Sequence, residues 1–269
     1  AGHRVGGGMA DAPHAIVNAT QRMTVTPRPD AREEAERVLQ ASEADGVLLR
    51  ALGGLAVHLR CPSARRPPLA RDYKDIDLIG RAGAAPQISK LVVTLGYVAD
   101  EEFNALHGHR RLYFWDAHNS RQLDVFIERI TMCHELHLRD RLDCDDLTLS
   151  LADLLLTKIQ VVEVNEKDLK DAVALLADHD VAPRGIDPGR VVSLFASDWG
   201  WWRTGTRTLR KVADYALSLE NFDSAGVVAE RVDTLLRLID EAPKSRKWKL
   251  RSRIGERVRW YELPEEIGN

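Results

Sequence analysis

The chain has 269 residues, 44% hydrophobic and 29% charged, with 38 Lys and Arg against 41 Asp and Glu for a net charge of -3. That describes a globular protein of one large domain or two modest ones, and the near-neutral total identifies no partner. No apolar run reaches the ~18 residues of a membrane-crossing helix, no apolar leader segment is visible, and three scattered cysteines (Cys61, Cys133, Cys144) point to a reducing cytoplasm, not a disulfide scaffold.

In chain order, "AGHRVGGG" before Met9 reads as a tag remnant, and residues 1–28 are expected to be disordered or extended. "PDAREEAERVLQASEADG" opens with proline and acids and carries Ala35, Val38 and Leu39 at helical spacing, which predicts a first helix. "GVLLRALGG" predicts a short buried strand ending at Gly53 and Gly54, and "LAVHLR" begins a second helix. A Pro/Arg loop, "CPSARRPPLARDY", leads into the strand "DIDLIG". "PQISKLVVTLG" is a helix closed by Gly96, and "RRLYFWD" with "RQLDVFIER" forms an antiparallel pair joined by "AHNS". From Ser150 the hydrophobic period lengthens. Ser150 with Asp153 makes a capping-box-like start for the helix "LADLLLTKIQVVEV", and further helices are expected at "EKDLKDAVALLADH", "PGRVVSLFASDWGWWRTG" and "SAGVVAERVDTLLRLIDEA". The fold class is therefore mixed α/β (α+β): a sheet flanked by helices over residues 29–147, then a helical domain over 148–269 with a basic C-terminal segment.

The chemistry concentrates in three acids. Asp75 and Asp77 alternate on one face of a strand, with Ile76 and Leu78 on the other. Two like charges placed together on a half-buried strand are costly unless a positive group answers them. In "RQLDVFIE", Leu123, Val125 and Ile127 share one face and Asp124 falls on the other. Three such carboxylates can converge on hard oxygen-ligand chemistry suited to Mg²⁺ (or Mn²⁺), making the expected positive partner a metal ion and not an arginine. Gly53 and Gly54, between strand and helix, let backbone approach phosphate oxygens. Lys158 falls within the apolar stripe of Leu151, Leu154, Leu155 and Val162, so it either snorkels past its neighbours or faces an anion such as triphosphate. On the triphosphate reading, removing Lys158 leaves stability equal or higher.

A "GG" after a strand, then "DID", then a lone Asp on a later strand resembles the DNA polymerase β-like nucleotidyltransferase superfamily. "LLLTKIQ" followed by "EKDLKDAVALL" resembles its AbiEii-type branch, the toxin component of certain toxin–antitoxin systems. The resemblance runs from Val47 to Leu176. The gap from the glycines to "DID" is longer than the family's usual spacing, and Gly54 stands where a serine is often found. The resemblance implies Mg²⁺-dependent transfer of a nucleoside monophosphate from an NTP to an acceptor hydroxyl, an RNA or tRNA end being the expected acceptor and an antitoxin protein an expected partner. It implies that Asp75, Asp77 and Asp124 hold metal, with Asp124 helping to activate the acceptor oxygen. Gly53, Gly54, Arg71, Lys158 and Asp171 are the expected nucleotide-binding set. Asp168 and Asp171 match a "KDxxD" motif, and equally suit a helix surface pairing with Lys167 or Lys170.

Other motifs have plainer readings. Cys133, His134, His137 and Cys144 fit no zinc-ligand spacing. His107 and His109 read as a solvated loop, and Trp201 and Trp202 as helix packing. Between Lys244 and Arg259 eight cations meet one acid, Glu256, and "KWKLRSR" interleaves cations with Trp248 and Leu250. That segment, with Arg203, Arg207 and Arg210 on one helical face, suits RNA contact or simply a solvated face. Two rivals stand beside the toxin reading: a small-molecule, aminoglycoside-type nucleotidyltransferase, and a catalytically silent nucleic-acid- or protein-binding module.

Overall fold

The structure, a computed structural model, describes residues 26–263; the expected tag remnant and most of the expected extended start lie outside the described residues. The first half is built on a five-stranded mixed sheet of β1 (Leu49–Leu52), β2 (Ile76–Gly80), β3 (Val98–Ala99), β4 (Arg111–Asp116) and β5 (Arg121–Ile127), in the order β1-β2-β5-β4-β3. β2 and β5 run parallel and every other neighbouring pair antiparallel. The parallel step requires a crossover, and α3 (Ala85–Thr94) and α4 (Glu101–His107) lie within it. A two-stranded ribbon, β6 (Arg129–Thr131) and β7 (Glu135–His137), follows.

Local chemistry explains the boundaries. α1 (Ala31–Ala44) begins where Asp30 accepts a hydrogen bond from the Glu33 amide, a cap worth ~1 kcal/mol. It buries Ala35, Val38 and Leu39 as the spacing predicts. Glu34 is fully buried on the same helix, answered by Arg37 and by the Tyr97 hydroxyl at 2.8 Å. Ile76, Leu78, Leu123 and Val125 are fully buried, each such aliphatic contributing ~1.5–3 kcal/mol.

The second half is helical: α5 (Leu151–Ile159), α6 (Glu166–Asp178), α7 (Pro188–Ser197), α8 (Trp199–Ser218), α9 (Ala225–Glu241) and α10 (Arg246–Ile254). Three expectations need adjustment. The helix from Leu151 stops at Ile159, so Val162 does not extend its stripe. The helix expected from Pro188 to Gly205 is two helices. Asp198 leaves the helical region, with φ -127° and ψ 123°, and its carboxylate accepts from the Gly200 and Trp201 amides to start α8. The basic C-terminal stretch forms a helix of its own, α10.

Two features tie the halves together. Asp153 on α5, fully buried, accepts from Arg141 after β7 at 2.9 Å and from Arg190 on α7 at 2.7 Å. The segment before α5 also pairs with β1: the Ala51 amide donates to Leu147 at 3.0 Å, and the Leu149 amide donates to Ala51 at 2.9 Å. No helix among the described residues is long and apolar enough to cross a membrane.

Candidate active site

The strand register assembles the acids. Asp77 lies opposite Asp124 across the parallel β2–β5 pair, and the same row continues to Leu52 on β1 and Tyr113 on β4. Side chains in register on neighbouring strands share a face, so Asp77 and Asp124 are neighbours there, whereas Asp75, expected on the same strand, lies in the loop just before β2 and is exposed, near enough to feel the Asp124 charge.

β1 ends one residue before the glycines. Gly53 and Gly54 form the first turn of α2 (Gly53–Arg60), not a loop ahead of it. Gly53 has φ +71°, and a side chain there would collide with the Asp77 carboxylate. A side chain at Gly54 would collide with the Arg71 guanidinium and touch Tyr73. The glycine pair therefore allows two close approaches, of backbone to Asp77 and of Arg71 to the helix start. A Gly53→Ala protein is expected to lose ~1–2 kcal/mol from the left-handed backbone alone and to push Asp77 aside. Denaturant titration tests the first effect; stability equal to wild type would contradict the geometry.

The carboxylates have unequal company. Asp124 is buried and held by Arg111, whose Nε donates to it at 2.6 Å, and by the Gln122 amide. For Asp124 the structure supplies an arginine, Arg111, two residues from Tyr113 on the same strand face, whereas Asp75 and Asp77 have no such partner among the described residues. Asp75 and Asp77 accept no hydrogen bond from a protein donor among the described residues. Burial, then the nearby Asp124 charge, pushes the Asp77 carboxyl up to about 7, with Lys158 and Arg111 offsetting part of the rise. The same two causes raise Asp75, which Lys167 and Lys74 partly offset.

Lys158 is buried, and its anion is protein: Nζ lies 3.1 Å from Asp168 and 2.9 Å from Asp171. Burial pulls its pKa down, but the two carboxylates outweigh it and the net shift is upward. Asp171, only 1% exposed, also accepts from Arg71 Nε at 3.1 Å and Nη2 at 2.8 Å. Arg71 in turn lies 4.2 Å above the Tyr73 ring. Asp171, expected to touch nucleotide, is enclosed by two cations, Arg71 and Lys158. Lys158 likewise faces carboxylates instead of an open phosphate cradle, because α6 lays its "KDxxD" acids against α5.

Among the described residues no three or more Asp, Glu, His or Cys side chains converge closely enough to cage a metal ion. Mg²⁺ does not require such a cage. It is commonly held by one or two carboxylates, with waters and substrate phosphates completing the shell. Asp75 and Asp77, donor-free and raised in pKa, fit that donor set; Asp124, engaged by Arg111, fits it less well. Sequence reading missed Arg111, Gln122 and the Tyr73 platform. For Arg111 a signal existed: once "AHNS" is taken as the hairpin turn, its alternation with Tyr113 puts it diagonal to Asp124.

No family model and no curated protein matches the chain. Among solved structures it is similar to the antibiotic-resistance factor ANT(2'')-Ia, at 14% identity and a TM-score of 0.34, covering 51% of this chain and 77% of that one. It is also similar to JHP933 from Helicobacter pylori, at 12% identity and a TM-score of 0.35, covering 82% and 94%. Likeness at this level is too loose to transfer an activity or a residue role.

Proposed function

We propose that the chain is a metal-dependent nucleotidyltransferase that moves a nucleoside monophosphate from an NTP to an acceptor hydroxyl. One observation carries the reading: Asp77 on β2 and Asp75 just before that strand stand without a protein donor among the described residues, and Asp77 lies beneath a helix start where Gly53 leaves no side chain between backbone and carboxylate. Mg²⁺ or Mn²⁺, when bound by Asp75 and Asp77, would neutralise the triphosphate. Arg71, fixed over Gly54 by Asp171, offers a cation to phosphate at the start of α2. The acceptor oxygen attacks the α-phosphorus, the bond to pyrophosphate breaks, and Asp124 takes the hydroxyl proton while Arg111 and Gln122 fix its orientation. Lys158 acts through Asp171 and Asp168, setting where Arg71 stands.

The acceptor on this reading is an RNA or tRNA end, and the cellular role that of an AbiEii-like cytoplasmic toxin restrained by an antitoxin protein. Its support is the "LLLTKIQ" and "EKDLKDAVALL" resemblance. Incubation with each α-labelled NTP and Mg²⁺, in parallel with total RNA and with aminoglycosides, tests the proposal. Label entering RNA is the expected result. Label entering only the aminoglycoside would favour the small-molecule rival, and no transfer from any NTP would leave the silent-module reading.

A further inference from the structure

A cleft of about 640 Å³ shares no residue with the acid site. It lies between the β6–β7 ribbon, the start of α8 and the chain from α10 to Glu262, and its volume suits a nucleotide-sized occupant. Trp199, Trp260 and Tyr261 supply rings to its wall. They meet edge-on, Trp199 and Trp260 at 5.9 Å and 80°, Trp260 and Tyr261 at 5.3 Å and 72°. Edge-on contact leaves ring faces that the neighbouring ring does not cover. Leu250 and Ile254 add apolar surface that is 63% and 46% exposed.

The platform is braced from behind. The Trp260 indole N–H donates to the Thr204 hydroxyl at 3.1 Å, and that oxygen lies 2.8 Å from His134 Nε2. Burial pulls His134 down to about 4, so at neutral pH the imidazole hydrogen-bonded to Thr204 is uncharged. Arg251 lies 4.7 Å above the Trp199 ring and donates to the Gly255 and Val258 carbonyls at 2.6 and 2.7 Å, locking α10 to the chain that follows.

Charge distinguishes the occupant. α10 carries five cations and no acid, and among the described residues only its Lys247 stands within ion-pair range of a carboxylate, 3.9 Å from Asp198. Three acids also line the rim: Asp198, which caps α8, Glu135, which bonds Arg129 at 2.8 Å, and Glu262. The cations of α10 and Arg259, which lies 5.2 Å over the Tyr261 ring, stand beside the Trp260 ring, a pairing that suits a strand whose bases are unstacked and whose phosphates lie outside.

We infer that this cleft binds single-stranded nucleic acid, a base lying against Trp260 and Tyr261 and the flanking phosphates on Lys247 and Arg259. The inference rests on the transferase reading only in giving that strand a use, as acceptor. Fluorescence anisotropy of the full chain with a labelled single-stranded RNA of ~12 nucleotides tests it, without NTP or metal, so that this result and the transfer assay fail separately. With the two phosphates on Lys247 and Arg259 neutralised, log affinity should fall against log salt with a slope of about -1.4. Lys247→Ala with Arg259→Ala should weaken binding at least tenfold, and so should Leu250→Asp, with melting temperature unchanged because these side chains are exposed. Affinity within twofold of wild type in both variants would overturn the inference. So would equal affinity for a duplex of the same length, whose stacked bases cannot reach the rings, or preference for an acidic peptide over the strand.

Discussion

Asp77→Asn should make the folded chain more stable while lowering turnover at least ~10²-fold, the scale of a lost acid–base or ligand role. The two effects share a cause. Asp77 sits beside Asp124 without a donor of its own, so its ionised form is disfavoured and its carboxyl rises from an ordinary 3.8 to about 7. A folded-state pKa above the unfolded one means that the folded chain holds the proton more tightly. The contribution to stability is then greatest below pH ~4 and declines as pH rises toward 7, by at most ~4 kcal/mol. Asparagine removes that decline. The gain in melting temperature over wild type should therefore be small at pH 4, larger at pH 5 and largest at pH 8. Mg²⁺ should raise the melting temperature of wild type at pH 8 and leave Asp77→Asn unmoved. A variant less stable than wild type at pH 8, with no response of either protein to Mg²⁺, would mean that Asp77 is already answered within the fold.

Asp171→Asn should do the reverse, destabilising the chain by ~3–5 kcal/mol, because it leaves buried Lys158 and half-buried Arg71 facing a neutral amide. For a protein of this size that is a fall of about 6–20 °C in melting temperature. Lys158→Ala should cost less, ~2–3 kcal/mol, since Asp171 keeps both of its bonds from Arg71. That outcome differs from the gain or neutrality expected of a lysine held for triphosphate, and the reason is the Asp168 and Asp171 pair. The double variant Lys158→Ala, Asp171→Asn should fall short of the sum of the single effects, as partners in one network do. Melting temperature measured by calorimetry decides it. An Asp171→Asn protein within about 2 °C of wild type would show that the two cations find solvent instead.

Much of this arrangement could be read from the chain because it depends on period-two alternation, which is local. Asp77 opposite the hydrophobic Ile76 and Leu78, and Asp124 opposite Leu123 and Val125, follow from spacing alone. The strand pair around "AHNS" was equally legible, since turn residues there interrupt two alternating runs. What spacing does not carry is contact between distant elements. Lys158 meets Asp171 only because α5 and α6 pack together, and Arg71 reaches the same carboxylate from a loop a hundred residues earlier in the chain. The break at Asp198 was missed for a different reason. The apolar period runs through it, and only a cap geometry that competes with helix continuation reveals two helices. α10 was hidden by composition, because a cation-dense stretch reads as solvated whether or not it is helical.

The pairing of residues 147–149 with β1 bears on how the protein can be divided. β1 lies at one end of the sheet order, and this segment satisfies both the amide and the carbonyl of Ala51. A fragment ending at residue 147 would discard the Leu149 donor, opening a hydrogen-bonding border next to the glycine turn and inviting strand addition from another molecule. The divide between the sheet and the helices is a seam sewn into the sheet itself, and a truncation meant to isolate the acid site has to carry Leu149 with it.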